Sequence, residues 1–175
     1  MKTLTTMAIA ALCATSIALA APETTASKIA RALSAGPPSV TSRAAVIWID
    51  NSGKATPLRN GTNGWTCGVG MKGEVGMDPF CADSNAMQWF ASYLSHKPKP
   101  TITAPGVVYM LQGGTDWSAT DPWAMKGTPI HEPPHWMIMY PYTNESGLSS
   151  ANKSSGTWIM WEHTPYAHLM INQKP

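Results

Sequence analysis

The sequence predicts an α+β fold: a mainly antiparallel β-sheet with an N-terminal helix and a second helix near 79–96 packed on it, closed by one disulfide. Three observations carry that expectation. Residues 135–140, 157–163 and 167–171 are short runs rich in aromatic and β-branched residues, fenced by Pro, Gly or Ser, which is the make-up of half-buried strands. Two earlier segments carry apolar residues at helical spacing. The order helix, strands, helix, strands then suits helices laid on a mostly antiparallel sheet rather than a βαβ array.

The first twenty residues read as a leader outside the fold. Met1-Lys2 is a short basic start, residues 4–17 are small and apolar, and Ala18-Leu19-Ala20 is a cleavage signature for a secretory signal. The run is too short for a spanning anchor. Leu12 before Cys13 argues against a lipoprotein signal. Cleavage would leave residues 21–175, a single α+β domain of 155 residues (175 less 20), in the periplasm or outside the cell, with no transmembrane segment. Cys67 and Cys81 then remain, and an oxidising compartment gives them one possible pairing. Closing that glycine-rich loop is worth roughly 3 kcal/mol. A pair of thiolate metal ligands is the weaker reading, because no C-x-x-C spacing is present.

Composition removes several partner classes. Twelve basic residues stand against ten acidic ones, and no Lys/Arg cluster forms a face for nucleic acid or a membrane surface. Charged residues are only 13% of the chain while Trp reaches eight, a balance of a compact domain rather than a disordered one.

Taken in order, residues 22–35 place Ala26, Ile29, Ala30 and Leu33 at helical spacing, and Gly36-Pro37-Pro38 stops the run. Residues 44–49 read as a strand, Asp50-Asn51-Ser52-Gly53 as a turn, and residues 55–60 as the returning arm of a hairpin. Residues 64–69 form another strand. Asp78 as cap and Pro79 in the first turn open the best helix, with Ala82, Ala86, Trp89, Phe90, Tyr93 and Leu94 as its apolar stripe. Residues 106–112 are a buried strand. A polar loop follows from Gly113 to Pro122, and the three C-terminal runs complete the sheet.

The candidate chemistry gathers around that C-terminal sheet. His131-Glu132-Pro133-Pro134-His135 matches the letters of a zinc-protease motif, but two prolines forbid the helix that would put both imidazoles on one face. As a strand, residues 135–140 put His135, Met137 and Met139 on one side, and His168 and Met170 share a side of the last run. If those sides met, imidazole and thioether groups would form a soft metal set of His135, Met137, His168 and Met170, suited to copper in an exported protein. Methionine as plain core filler is the competing account. Asp116, Ser118, Thr120 and Asp121 offer oxygens at alternate positions as a calcium loop does, although hydrogen bonds of the two aspartates to their own turns are the stronger explanation. Copper, zinc or calcium are thus the ions to consider. For catalysis, Asp78, Asp83, Asp116, Asp121, Glu132, Glu162, His163 and His168 could act as acid, base or orienter, and Ser84 or Ser118 as nucleophile. No nucleophile elbow, phosphate loop or dinucleotide fingerprint is present.

Several stretches together carry a resemblance. They are Ala32-Leu33-Ser34-Ala35 with Pro37, residues 58–67, Asp78-Pro79-Phe80-Cys81, Tyr109-Met110-Leu111-Gln112-Gly113-Gly114 with Asp116 and Thr120-Asp121-Pro122, and residues 164–170. In these the chain resembles a family of small exported bacterial proteins to which no activity is assigned. The resemblance implies one exported domain and carries over no catalytic residue.

The function expected from the sequence is a non-catalytic binding module for a small molecule or metal ion, its site built from Asp116, Asp121, His135, His163 and His168. Polar, titratable groups at the ends of apolar strands are the usual make-up of such a pocket. A hydrolase using the same groups is the alternative. A third reading is an envelope structural protein that makes contact through Trp65, Trp117, Trp123 and Trp136.

Overall fold

A computed structural model describes residues 22–140 and 155–173. The leader and most of the polar stretch before the last two strands lie outside that range. Among the described residues, no helix is long and apolar enough to cross a membrane.

The fold is α+β and the elements run helix to sheet as the sequence pattern requires. They are α1 (Thr25–Leu33), α2 (Pro38–Thr41), β1 (Ala45–Ile49), β2 (Ala55–Arg59), β3 (Thr66–Val69), β4 (Phe80–Ala82), α3 (Ser84–Leu94), β5 (Gly106–Met110), β6 (Gly114–Asp116), β7 (Ile130–Glu132), β8 (His135–Met139), β9 (Ser155–Met160) and β10 (His168–Gln173). Eight strands form one sheet in the order β2-β1-β3-β4-β5-β8-β10-β9, while β6 and β7 pair separately. All neighbours in the large sheet are antiparallel except β1 and β3.

The two longer helices cover opposite faces. Cys81 belongs to the cluster packed beneath α1, and the next residue, Ala82, to the cluster packed beneath α3. Successive strand residues point to opposite sides, so one short strand anchors both layers. Thr24 caps α1 by accepting from the Ser27 N–H. Arg31 ties the helix down through Glu23 and through the Gly70 carbonyl at 2.7 Å. Cys67 and Cys81 stand directly opposite each other on β3 and β4 and are joined as the sequence requires.

The second helix begins later than its sequence pattern implies. Residues 79–82 are not its first turn: Phe80–Ala82 is strand β4, drawn into the sheet by ladders to β3 and β5 on either side. Asp83, not Asp78, is the N-cap, with one carboxylate oxygen accepting from Ala86 N–H at 2.8 Å. Its other oxygen accepts from Val107 N–H at 3.0 Å, so the cap also docks α3 onto β5. Asp78 accepts instead from the backbone and hydroxyl of Thr115. Gly106 lets the helix lie close, since a Cβ there would come within 2.3 Å of Ala86 N.

We expect Asp83→Ala to lower the denaturant midpoint at unchanged m-value, by about 1–2 kcal/mol of stability, because it removes a cap and a docking hydrogen bond together. Asp78→Ala should leave α3 itself capped, and helix-resolved hydrogen exchange would separate the two.

Candidate functional site

Strand pairing sets the chemistry of the face beneath α3. On β8, His135, Met137 and Met139 are buried while the residues between them are half-buried; on β10 the buried set is His168, Met170 and Asn172. Register places Met139 against His168, Met137 against Met170, and His135 against Asn172. On the far side of β10, Met160 of β9 pairs with His168. On the far side of β8, Met110 of β5 pairs with His135. The face is therefore a grid rich in thioethers, with one imidazole inside each of its two outer rows.

These residues line a partly open cavity of about 330 Å³ between the sheet and α3. Its walls include His135, His168, Met137, Met139, Met160 and Met170, with Trp89, Phe90 and Tyr93 contributed by the helix. Asp78, Asp116 and Glu132 also reach it.

Both imidazoles are held in one tautomer. The Nδ1–H of His135 donates to the Pro133 carbonyl at 2.7 Å, and that of His168 donates to the Tyr166 carbonyl at 3.0 Å. A carbonyl can only accept, so each Nδ1 carries the proton and each Nε2 keeps a lone pair. No hydrogen bond to either Nε2 is formed among the described residues. Burial lowers the affinity of both rings for a second proton. For His168 it is lowered to about 4, with the Tyr166 carbonyl opposing and the charge of His135 adding to the effect. His135 is lowered chiefly by burial, against the Pro133 carbonyl and the negative charge of Asp78. Burial raises Asp116, partly offset by the Ser118 and Trp117 N–H groups.

On one side, aromatic rings separate this cavity from a neighbouring surface groove. Trp89 and Trp161 stack with centroids 6.1 Å apart, and both meet His168 nearly at right angles, at 5.5 and 5.0 Å. Tyr93 stacks on Trp161 at 5.2 Å and on Trp123 at 4.9 Å, and Trp123 in turn stacks on His96 at 4.4 Å. The Tyr93 hydroxyl donates to Pro122 O, and burial pushes it up to about 12. Beyond the wall lies an open groove of about 550 Å³ lined by His96, Asp121, Trp123, His163 and Tyr166.

The five residues expected to share a ligand site are thus divided. Asp116, His135 and His168 line the cavity beneath α3; Asp121 and His163 line the outer groove. No two of the five are hydrogen-bonded to each other. Asp116 accepts from Ser118 N–H, Asp121 accepts from Trp123 N–H, and His163 is exposed on a turn with φ 64°. The four residues expected to hold a metal all lie on one face, but not around one point. His135 and the Met139–His168 pair sit at opposite ends of β8, four residues apart, or about 14 Å along the strand. Among the described residues, no group of three or more His, Cys, Asp or Glu is placed to hold an ion. Met110, Met160, Trp89 and Trp161 complete the cavity, and periodicity in single runs could not assign them to it. The four tryptophans expected to share a contact surface also separate: Trp65 and Trp136 flank Tyr109, whereas Trp123 belongs to the aromatic wall.

No family model, curated protein or solved structure matches the chain.

The depressed pKa of His168 has a fixed sign in stability. The unfolded ring binds a proton below about 6.5 and the folded one only below about 4, so stability is full above 6.5 and falls as pH drops toward 4. His135, shifted the same way, adds to the slope. We expect the urea midpoint to fall between pH 6.5 and 5, above the range of most carboxylates. His168→Phe should flatten that dependence; an unchanged slope would show that His168 is not buried neutral.

Proposed function

We propose that the protein is an exported, non-catalytic binding module whose site is the cavity between α3 and the β5–β8–β10–β9 face. The observation that carries this reading is the pair of buried neutral imidazoles, each with its Nδ1 proton spent on a backbone carbonyl and its Nε2 lone pair left for another group. A ligand whose donor meets one of these lone pairs gains specificity as well as contact area. The rest of the lining is thioether and aromatic, which favours a small, polarizable, mostly apolar ligand with one donor or soft centre. Export is supported by the leader pattern and by the Cys67–Cys81 disulfide.

Indole and p-cresol are suitable probes, each an aromatic body with one donor. Either should raise the unfolding midpoint, by about 1.4 kcal/mol of stabilisation at ten times its Kd. Nitrogen-resolved NMR should show the perturbation at His135 or His168 Nε2. Met170→Phe, which fills the middle of the cavity, should remove the effect while near-ultraviolet circular dichroism is kept. If neither probe shifts the midpoint, and protein purified from the exporting host carries no bound organic molecule or metal, the reading fails.

A further inference from the structure

The same face contains a narrower constellation. His168 is the central residue of a cross-strand row whose two neighbours are both methionines, Met139 on β8 and Met160 on β9. Directly opposed residues on one face bring their Cβ atoms to about 4.5–5.5 Å, a spacing from which a flexible thioether on each side can reach toward a shared point above the imidazole. All three side chains line the cavity and all three are buried. No other row of the grid has an imidazole between two thioethers: Met170 lies between Met137 and Trp158, and His135 lies between Met110 and Asn172.

The surroundings of His168 are those of a metal ligand. Its Nδ1–H is anchored on the Tyr166 carbonyl, so the ring is oriented and Nε2 is the donor atom. Two indole rings, Trp89 and Trp161, meet it from the side. Trp161 holds a left-handed backbone conformation, φ 55°, which is costly for a bulky residue and persists only where the surroundings impose it. Its backbone N–H donates to Ala119 O at 2.7 Å, and its indole N–H donates to Ser118 O at 2.9 Å. The indole against His168 is thus fixed at both ends.

We infer that Met139, His168 and Met160 form a three-coordinate site for Cu(I), with the Trp89 and Trp161 rings as its walls. The inference rests on the reading of this cavity as the binding site and names its ligand. Two thioethers and one neutral imidazole are soft donors that suit Cu(I) and not calcium or magnesium, and a set without thiolate or carboxylate holds zinc poorly. The donors are uncharged, so a monovalent ion leaves the least net charge in the cavity. Indole faces attract a cation in a dry setting. Binding changes no oxidation state and releases no proton, since Nε2 carries none.

The full exported chain, without a histidine tag, would be titrated anaerobically with Cu(I) buffered by a chromophoric Cu(I) chelator. The expected result is one equivalent withdrawn from the chelator, with quenching of Trp fluorescence. Copper-edge X-ray absorption should report sulfur and nitrogen scatterers together. Met139→Leu and Met160→Leu keep the core volume, and each should weaken Cu(I) more than about tenfold, the loss that removing even an outer-shell partner typically brings. Met71→Leu, at a surface methionine outside the cavity, should bind as the parent does. Circular dichroism and the unfolding midpoint confirm that each variant is folded. Failure to withdraw copper, a spectrum with nitrogen and oxygen scatterers only, or equal losses for Met71→Leu and Met139→Leu would each overturn the assignment. If p-cresol or indole binds and Cu(I) does not, the copper site falls and the cavity reading stands; if nothing binds, both fall.

Discussion

His135 and His168 are taken out of water by one sheet face, and each keeps a single backbone carbonyl as compensation. Much of the remaining architecture follows from that desolvation. An imidazole enclosed by apolar groups cannot hold a second proton at neutral pH, so the rings are neutral and their tautomer is set by the carbonyl each one meets. The rings that carry these lone pairs line a pocket rich in thioethers and aromatic rings. Keeping them there requires α3 to stay docked on β5. The Asp83 cap and the close contact of Gly106 with Ala86 serve that docking.

The aromatic wall gives the molecule two chemically different concavities. On the inner side the lining beneath the helix is mostly methionine, histidine and aromatic rings. On the outer side, exposed His163 and Asp121 stand beside Trp123 and the prolines of a solvent-open groove. Stacking from Trp161 through Tyr93 to Trp123 makes the partition continuous. Burial on the inner side holds His168 neutral and raises Asp116.

Methionine plays two parts here with one side chain. An unbranched thioether fills irregular gaps beneath a helix, which accounts for its frequency on this face without any ligand. The same sulfur is a soft donor, and what turns filler into donor is an imidazole placed between two of them by strand register. Fold and site are thus written in the same residues.

Alternation within residues 135–139 and 168–170 was enough to put His135, Met137 and Met139 on one side of a strand and His168 and Met170 on one side of another, because a strand's period of two is a local property. The disulfide was equally legible, since two cysteines outside the leader pattern admit one pairing. The start of α3 was not: an Asp-Pro pair ahead of an apolar stripe reads as a helix opening, and only ladders to β3 and β5, distant in sequence, make Phe80–Ala82 a strand. Nor could the sequence set His168 between Met139 and Met160 while separating it from His135 by the length of β8, or send His163 to the far side of an aromatic wall. Register between strands and the packing of rings from four segments are relations between distant parts of the chain. Local periodicity fixes which way a side chain points; only the assembled sheet decides what it points at.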